Sequence, residues 1–548
     1  MRLCLLFGFI LRKIRRFSRF KRMRADATPE SDREKPAPPP KEPLRDRLFQ
    51  NLDSLKSALG NSNDLKIHSF RLGSDGMSGA LVFIDGLVDT KLVTESILQP
   101  LMSWGFEKAH PPEGPELLDE LQYGVLCAGD VEAVRSLPEV TSGCLAGDTL
   151  LLLDGCTAGL DISTKGWEKR SVSEPQSETV VRGPREGFTE NLRTNTALIR
   201  RKIRNGQLRV EHMTAGRKTR TDICLIYLAG VANSHVVETV KYRIGRLDVD
   251  SILESGSLEE YIDDAPFSPF ATVGYSEKPD VVAARILEGR TAIVVDGTPF
   301  VLTAPMLFIE SFQTAEDYYV RPLYASLTRI LRFIAYLIAV FAPAVYISLT
   351  AFHQELLPTT LLFTIAKARE GTPFPVVVEA LIMIFAFEIL REAGIRLPRP
   401  IGQAISIVGA LIMGDAAVKA GLVGTPMVIT VAITAVASFL VPNQDDSISI
   451  LRLIMLGLAA FVGWYGVSMG FLGLLVHLAT LSSFGVPYFD GFSWSSDLQD
   501  SLVRMPLWTM VRRPKDIARG DTTRRRFFVP PLRPYEQDGD GGTEGMKS

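Results

Sequence analysis

The chain has 548 residues, 46% of them hydrophobic and 22% charged, and a formal net charge of −2. That length allows two or three domains, and the near-neutral balance excludes a general attraction to nucleic acid. Charge is dense before about residue 320 and in the last 65 residues but sparse between Arg332 and Leu481, so neither a wholly soluble nor a wholly embedded protein fits.

The N-terminus pairs a short apolar run at 3–11 with Arg12, Lys13, Arg15, Arg16, Arg19, Lys21, Arg22 and Arg24. The run is too short to span a bilayer, and its charge follows rather than precedes it, unlike a signal peptide. Two readings stay open: an interfacial basic segment or a solvated leader. A Pro-rich linker completes residues 1–43.

Three apolar runs end in Asp-Gly: Asp85-Gly86, Asp154-Gly155 and Asp296-Gly297. Each reads as a buried strand closed by a turn in which glycine takes positive φ. Residues 157–162 and 299–302 are the expected hairpin partners, and 223–231 reads as a further strand. A helix is expected over 235–247, with Val236, Val240 and Ile244 on one face. The soluble region is therefore α+β, with two mixed α/β subdomains at 44–137 and 138–305. The recurring Asp-Gly strands are compatible with duplication, but look-alike hairpins are the favoured explanation. Five cysteines without a CxxC pair suggest a reducing cytosol rather than a disulfide framework.

An all-α membrane domain of four to six spans is expected over 306–482. Apolar segments lie at 330–351, 375–393, 401–422, 425–441 and 451–481, the last being one tilted span or two folded ones. Between the first two comes a Pro-broken segment with His353, Glu355, Pro358, Thr359 and Lys367, short and polar enough for a re-entrant half helix, and these residues, with Glu379 and Glu388 of the next segment, are the pore or gating candidates. Arg329 and Arg332, then Arg391, Arg396 and Arg399, then Arg504, Arg512, Arg513 and Lys515 place both termini in the cytosol, with 483–548 as a polar tail.

Motifs for a Walker loop, a zinc protease or a nucleophile elbow are absent, so the sequence indicates neither an enzyme nor a metal or cofactor site. Ionisable residues at membrane depth are costly and become the candidates. Glu379 and Glu388 lie nine apart, on nearly opposite helix faces. Arg391 is spaced to pair with Glu388, and Lys419 with Asp415. For Glu379 a pore role and a structural pair both stay open. Small-residue ridges, Gly402-Ser406-Ala410-Gly414 and Gly466-Gly470, mark close helix approach, more readily within one subunit than between subunits.

Several ordered motifs coincide: Ser173-Glu174-Pro175, Val180 to Arg185, Asn195 to Arg200, Ser268-Pro269-Phe270, Glu277 to Asp280, Asp317-Tyr318-Tyr319, Leu357-Pro358-Thr359, Pro373-Phe374-Pro375, Glu388 to Gly394 and Gly485 to Phe489. Over 144–489 the chain resembles the A subunit of the GerA-type nutrient germinant receptors of endospore-forming bacteria. The resemblance implies a spore inner-membrane protein, a permease-like B subunit and a lipoprotein C subunit as partners, homo-oligomers, and a nutrient-gated ion channel. Two alternatives remain: a paralogue acting later in ion and dipicolinate release, and a secondary transporter with a soluble regulatory domain. No inverted repeat supports the transporter.

Overall fold

The computed structural model describes residues 42–72, 77–104, 115–166, 175, 178, 180–396, 409, 412–489, 500–514, 517–518 and 520–524. The basic leader, most of the Pro-rich linker and the end of the tail lie outside them.

The soluble region contains two five-stranded antiparallel sheets with the same strand order. The first is built from β1 (Leu65–Leu72), β2 (Met77–Ile84), β3 (Val131–Val134), β4 (Thr149–Leu153) and β5 (Gly159–Ile162), in the order β1-β2-β4-β5-β3. The second uses β6 (Leu208–Ala215), β7 (Thr221–Leu228), β8 (Gly274–Ser276), β9 (Thr291–Val295) and β10 (Val301–Ala304), in the order β6-β7-β9-β10-β8. A helix precedes each sheet, α1 (Leu48–Ala58) and α3 (Leu192–Lys202). Another precedes each central strand, α2 (Leu137–Ala146) and α6 (Pro279–Leu287).

The correspondence extends to single atoms. Asp154 Oδ1 accepts from the first amide of α1, Leu48 N, at 2.8 Å, and Asp296 Oδ1 accepts from the first amide of α3, Leu192 N, at 3.0 Å. Each carboxylate satisfies an amide the helix itself leaves without a partner. Asn51 clasps both backbone groups of Arg45, and Asn195 does the same to Thr189, six residues upstream in each case. The two halves are thus structural repeats, so the favoured look-alike explanation of the Asp-Gly strands understates the likeness.

The boundary expected near Pro138 also moves. Pro138 lies in the first turn of α2, capped by Ser136 and Glu139, and β4 and β5 beyond it complete the first sheet. A helix start with proline in its first turn mimics a linker in sequence. The repeats are joined by a buried ion pair: Arg200 on α3 reaches Asp64 with Nε at 2.7 Å and Nη2 at 3.0 Å, and Ser62 with Nη2 at 2.9 Å.

Within the second repeat, between β7 and β8, α4 (Ser234–Gly245) and α5 (Ser255–Ile262) cover its sheet; the helical domain follows β10. Its elements are α7 (Pro322–Ile347), α8 (Thr359–Ala368), α9 (Val376–Arg396), α10 (Thr425–Ser438), α11 (Asp445–Val462) and α12 (Trp464–Thr480). Among the described residues, one helix, Pro322–Phe352, is long and apolar enough to cross a membrane, and a second qualifies if α10 and 442–462, bent by 105°, count as one. The apolar stretch 451–481 is two helices, broken at Gly463, whose φ of +64° and lack of room beside the Phe352 ring both require glycine.

The described tail residues do not trail freely. Ile517 and Ala518 are buried, Asp521 N donates to Gly230 O at 2.8 Å, and Arg524 pairs with Glu288 at 2.8 Å on the second repeat.

In the first repeat, Asp161 on β5 lies against Gly143 of α2, and burial, then Asp148, pushes its carboxyl up to about 6. A carboxyl raised in the folded state favours folding when protonated. Its contribution is full below about pH 4 and is lost as pH rises through about 6. Asp161→Asn should therefore strengthen hydrogen-exchange protection of the β4 and β5 amides at pH 7–8 by about 1–2 kcal/mol and flatten its pH dependence between 4 and 6. Unchanged protection at pH 8 would contradict this.

Candidate functional site

Two clusters of buried polar groups organise the helical domain. The first is its junction with the second repeat. Arg329, about two helical turns inside α7 and fully buried, donates through Nε to Asp317 at 2.9 Å and through Nη1 to Asp500 and the Ser501 carbonyl, both at 2.8 Å. Its guanidinium also stacks over Tyr318 at 5.4 Å, as does that of Arg504. Arg332 adds a second cation on Asp317, at 2.9 Å. Beside this, Phe270 meets Phe308 edge-on at 5.7 Å and Tyr488 at 6.3 Å. Ser483 Oγ donates to the Thr272 carbonyl at 2.6 Å and accepts from Met306 N at 3.0 Å. Ser268-Pro269-Phe270, Asp317-Tyr318-Tyr319 and Gly485 to Phe489, far apart in sequence, therefore converge here.

The second cluster lies among α7, α9 and α11. Pro343 inside α7 has no N–H, so the Ala339 carbonyl four residues back loses its helical partner. Arg452 on α11, buried, donates Nε to that carbonyl at 3.2 Å. Its Nη1 lies 3.4 Å from Glu388, which pairs with Arg391 at 2.6 Å. Arg391 reaches Asp445 at 3.5 Å, and Ser449 bridges Arg391 and Glu388 at 3.2 Å each. Two acids and two bases leave no net charge, which lowers the cost of burying them.

Glu379 is enclosed. Its carboxylate accepts from Arg369 at 3.2 Å, Thr372 at 3.3 Å and Gly424 N, the amide ahead of α10, at 3.0 Å. It therefore ties the end of the Pro-broken segment to α9 and α10 and fronts no lumen within one chain. Of the other pore or gating candidates, Glu355, Pro358, Thr359 and Lys367 are exposed, and His353 is half-buried with its ring 6.0 Å from that of Tyr465. Asp415 and Lys419 pair at 2.7 Å on an exposed face. Gly466 and Gly470 face Leu458 and Met455 of α11, and Gly414 faces Val428; Gly402, Ser406 and Ala410 lie outside the described residues.

Sequence reasoning missed Arg329 as a hub, Arg369, Asp445 and Arg452. One signal was available for Arg452: a lone cation in an apolar run, with a mid-helix proline elsewhere that leaves a carbonyl unsatisfied. Among the described residues, no cluster of His, Cys, Asp and Glu could hold a metal ion.

A family model described as Bacillus/Clostridium GerA spore germination protein matches residues 53–516. The chain is 45% identical over 483 residues to spore germination protein KA of Bacillus subtilis (strain 168), covering 87% of this chain and 88% of that one. It is 36% identical over 486 residues to spore germination protein GerLA of Bacillus cereus, covering 88% and 98%. The crystal structure of the N-terminal domain of the A subunit of the Bacillus megaterium spore germinant receptor GerK3 matches at 36% identity, over 49% of this chain and 98% of that chain, with a TM-score of 0.39.

If Arg452 serves the carbonyl that Pro343 leaves bare, Arg452→Met should destabilise the protein by about 2–4 kcal/mol. Pro343→Ala in that background should return roughly 1 kcal/mol, because alanine restores the helical N–H. Thermal unfolding midpoints of the detergent-solubilised single and double variants measure this; strictly additive effects would refute the link.

Proposed function

The chain belongs to the GerA spore germination protein family, and we propose that it is the A subunit of a nutrient germinant receptor, spanning the spore inner membrane several times. The observation that carries this reading is the family match from residue 53 to 516, through the soluble repeats, the helical domain and the docked tail. That membership supports partners of the receptor type, a permease-like B subunit and a lipoprotein C subunit, and an assembly of several A subunits.

The contacts support a multi-pass topology with both ends in the cytosol. The tail residues that dock on the second repeat must lie on the same side of the membrane as that repeat. From the junction α7 runs outward to Phe352, which packs on Gly463 at the tip of the α11–α12 hairpin. From there α12 returns to the junction, where His477 meets Ser268 at 2.9 Å. With 18 and 17 residues, α11 and α12 are each about 26 Å long, close to the hydrocarbon thickness of a bilayer. Arg504, Arg512, Arg513 and Arg524 fall on the cytosolic side, as the positive-inside rule requires.

The receptor passes or gates ions through the region around 353–370. There the chain is broken rather than sealed into one helix, and Glu355, Thr359 and Thr360 stay exposed. Copies of this segment around a common axis would line a polar path, with Glu355, exposed like Glu370, supplying the negative charge that the enclosed Glu379 does not. The soluble repeats would bias that path through the rigid junction at Arg329.

Two outcomes follow. Spores lacking the chain should lose release of cations and dipicolinate in response to the nutrient it serves, with normal spore yield and heat resistance. Glu355→Gln should change the rate of germinant-triggered cation release at normal protein level, whereas Glu379→Gln should lower the amount of protein in the inner membrane. Normal release from stable Glu355→Gln spores would remove the acidic ring while leaving the receptor reading intact.

A further inference from the structure

The loop between α5 and β8 covers residues 263–273, whereas its counterpart in the first repeat, leading into β3, covers only 126–130. The added chain is what reaches the helical domain. Asp264 accepts from Phe484 N at 2.7 Å, Ser268 bonds His477, and the Ser447 hydroxyl donates to the Pro269 carbonyl. Phe270 fills the aromatic junction.

Within this loop, Ser268 N donates to Ala265 O at 2.9 Å, closing a turn with Pro266 and Phe267 at its corners. Proline at the first corner presets the backbone, so the turn is held before anything binds it. Asp264, Ser268, Pro269 and Phe270 perform the docking; Phe267 takes no part in it, and its ring is fully exposed.

Its position is constrained all the same. Phe267 adjoins Ser268, which is bonded to the last turn of α12, and that helix exposes Leu472 and Val476. Alongside runs α4, whose Arg243 stacks over Phe484 at 4.8 Å; it presents exposed Tyr242 with Arg246 stacked on it at 5.1 Å. An aromatic ring beside a cation at the ends of apolar helices is the composition of a membrane–water boundary.

We infer that the Pro266–Phe267 turn is an interfacial membrane anchor, seating the Phe267 ring in the lipid headgroup region next to the ends of α11 and α12. This rests on the reading of those helices as membrane-embedded. The partner is a lipid surface continuous with the exposed apolar face of α12. A ring held on a rigid turn enters that boundary without the entropy loss of ordering a loop, and it fixes the height and tilt of the second repeat over the bilayer.

The test uses the full chain in proteoliposomes, with Cys4 and the exposed Cys127 replaced by serine. Phe267→Cys, Val476→Cys and Leu253→Cys each carry a nitroxide, and collision with oxygen is compared with collision with a water-soluble nickel chelate. Val476 reports lipid beside α12; Leu253, exposed before the far end of α5, reports water. The expected result is a label at 267 that meets oxygen several-fold more often than the chelate, as at 476 and unlike 253. A 267 label that behaves as at 253, with 476 still in lipid, overturns the anchor alone. A 267 label shielded from both reagents overturns it in favour of protein contact. A 476 label open to the chelate overturns the membrane reading of α12 beneath it.

Discussion

A buried arginine sets the terms for this molecule. The Arg329 guanidinium, without water, requires acceptors, and an uncompensated buried charge would cost about 3–5 kcal/mol. Its acceptors come from both sides of the helical domain in sequence: Asp317 just before α7, Asp500 and the Ser501 carbonyl after α12. The chain leading into the bundle and the chain leaving it are thereby held at one point. The aromatic packing of Phe270, Phe308 and Tyr488, and the bond of Ser483 to Thr272, are built against that point. The core reflects this, since the buried side chains on one face of the second sheet and those of the bundle form one continuous cluster.

The soluble region was largely legible where structure is local. Asp-Gly turns, buried apolar strands and the α4 face each depend on neighbours a few residues apart, and each appears. What could not be read was that two such halves are the same object. Their likeness resides in strand order and in contacts such as Asp154 to Leu48 and Asp296 to Leu192, more than a hundred residues apart. The expected boundary at Pro138 failed for a related reason. Sequence registers proline as punctuation, whereas pairing of β4 with β2 decides to which sheet a strand belongs.

The helical domain divides in the same way. Pairs within one helix, Glu388–Arg391 and Asp415–Lys419, follow from spacing alone and are present. Arg369–Glu379, Arg452–Glu388 and Arg391–Asp445 join different helices, and no periodicity announces them. Glu379 shows what this means for assigning roles. A carboxylate in an apolar segment invites a pore, but three donors from two segments make it a fastening, and Glu355 and Glu370 are left as the exposed acids of the broken segment. The tail escaped notice because its composition is polar; its few small and apolar residues, Ile517, Ala518 and Gly520, dock together with polar contacts such as Arg524 to Glu288.

That docked tail changes the mechanics of the protein. A module hung from a single linker can swivel, and a load on it is dissipated as rotation. Here the second repeat is gripped twice, by the chain running through Asp317 into α7 and by the returning strap that Arg504 and Arg524 fasten at Val320 and Glu288. Two separated attachments form a couple. A twist of the soluble repeats therefore arrives at the bundle as torque across α7 and the α11–α12 hairpin, while a pull along the axis of α7 is shared between the two attachments. Gly520, which has no space for a side chain beside the Gly230 carbonyl, is the narrow pin on which the second grip turns.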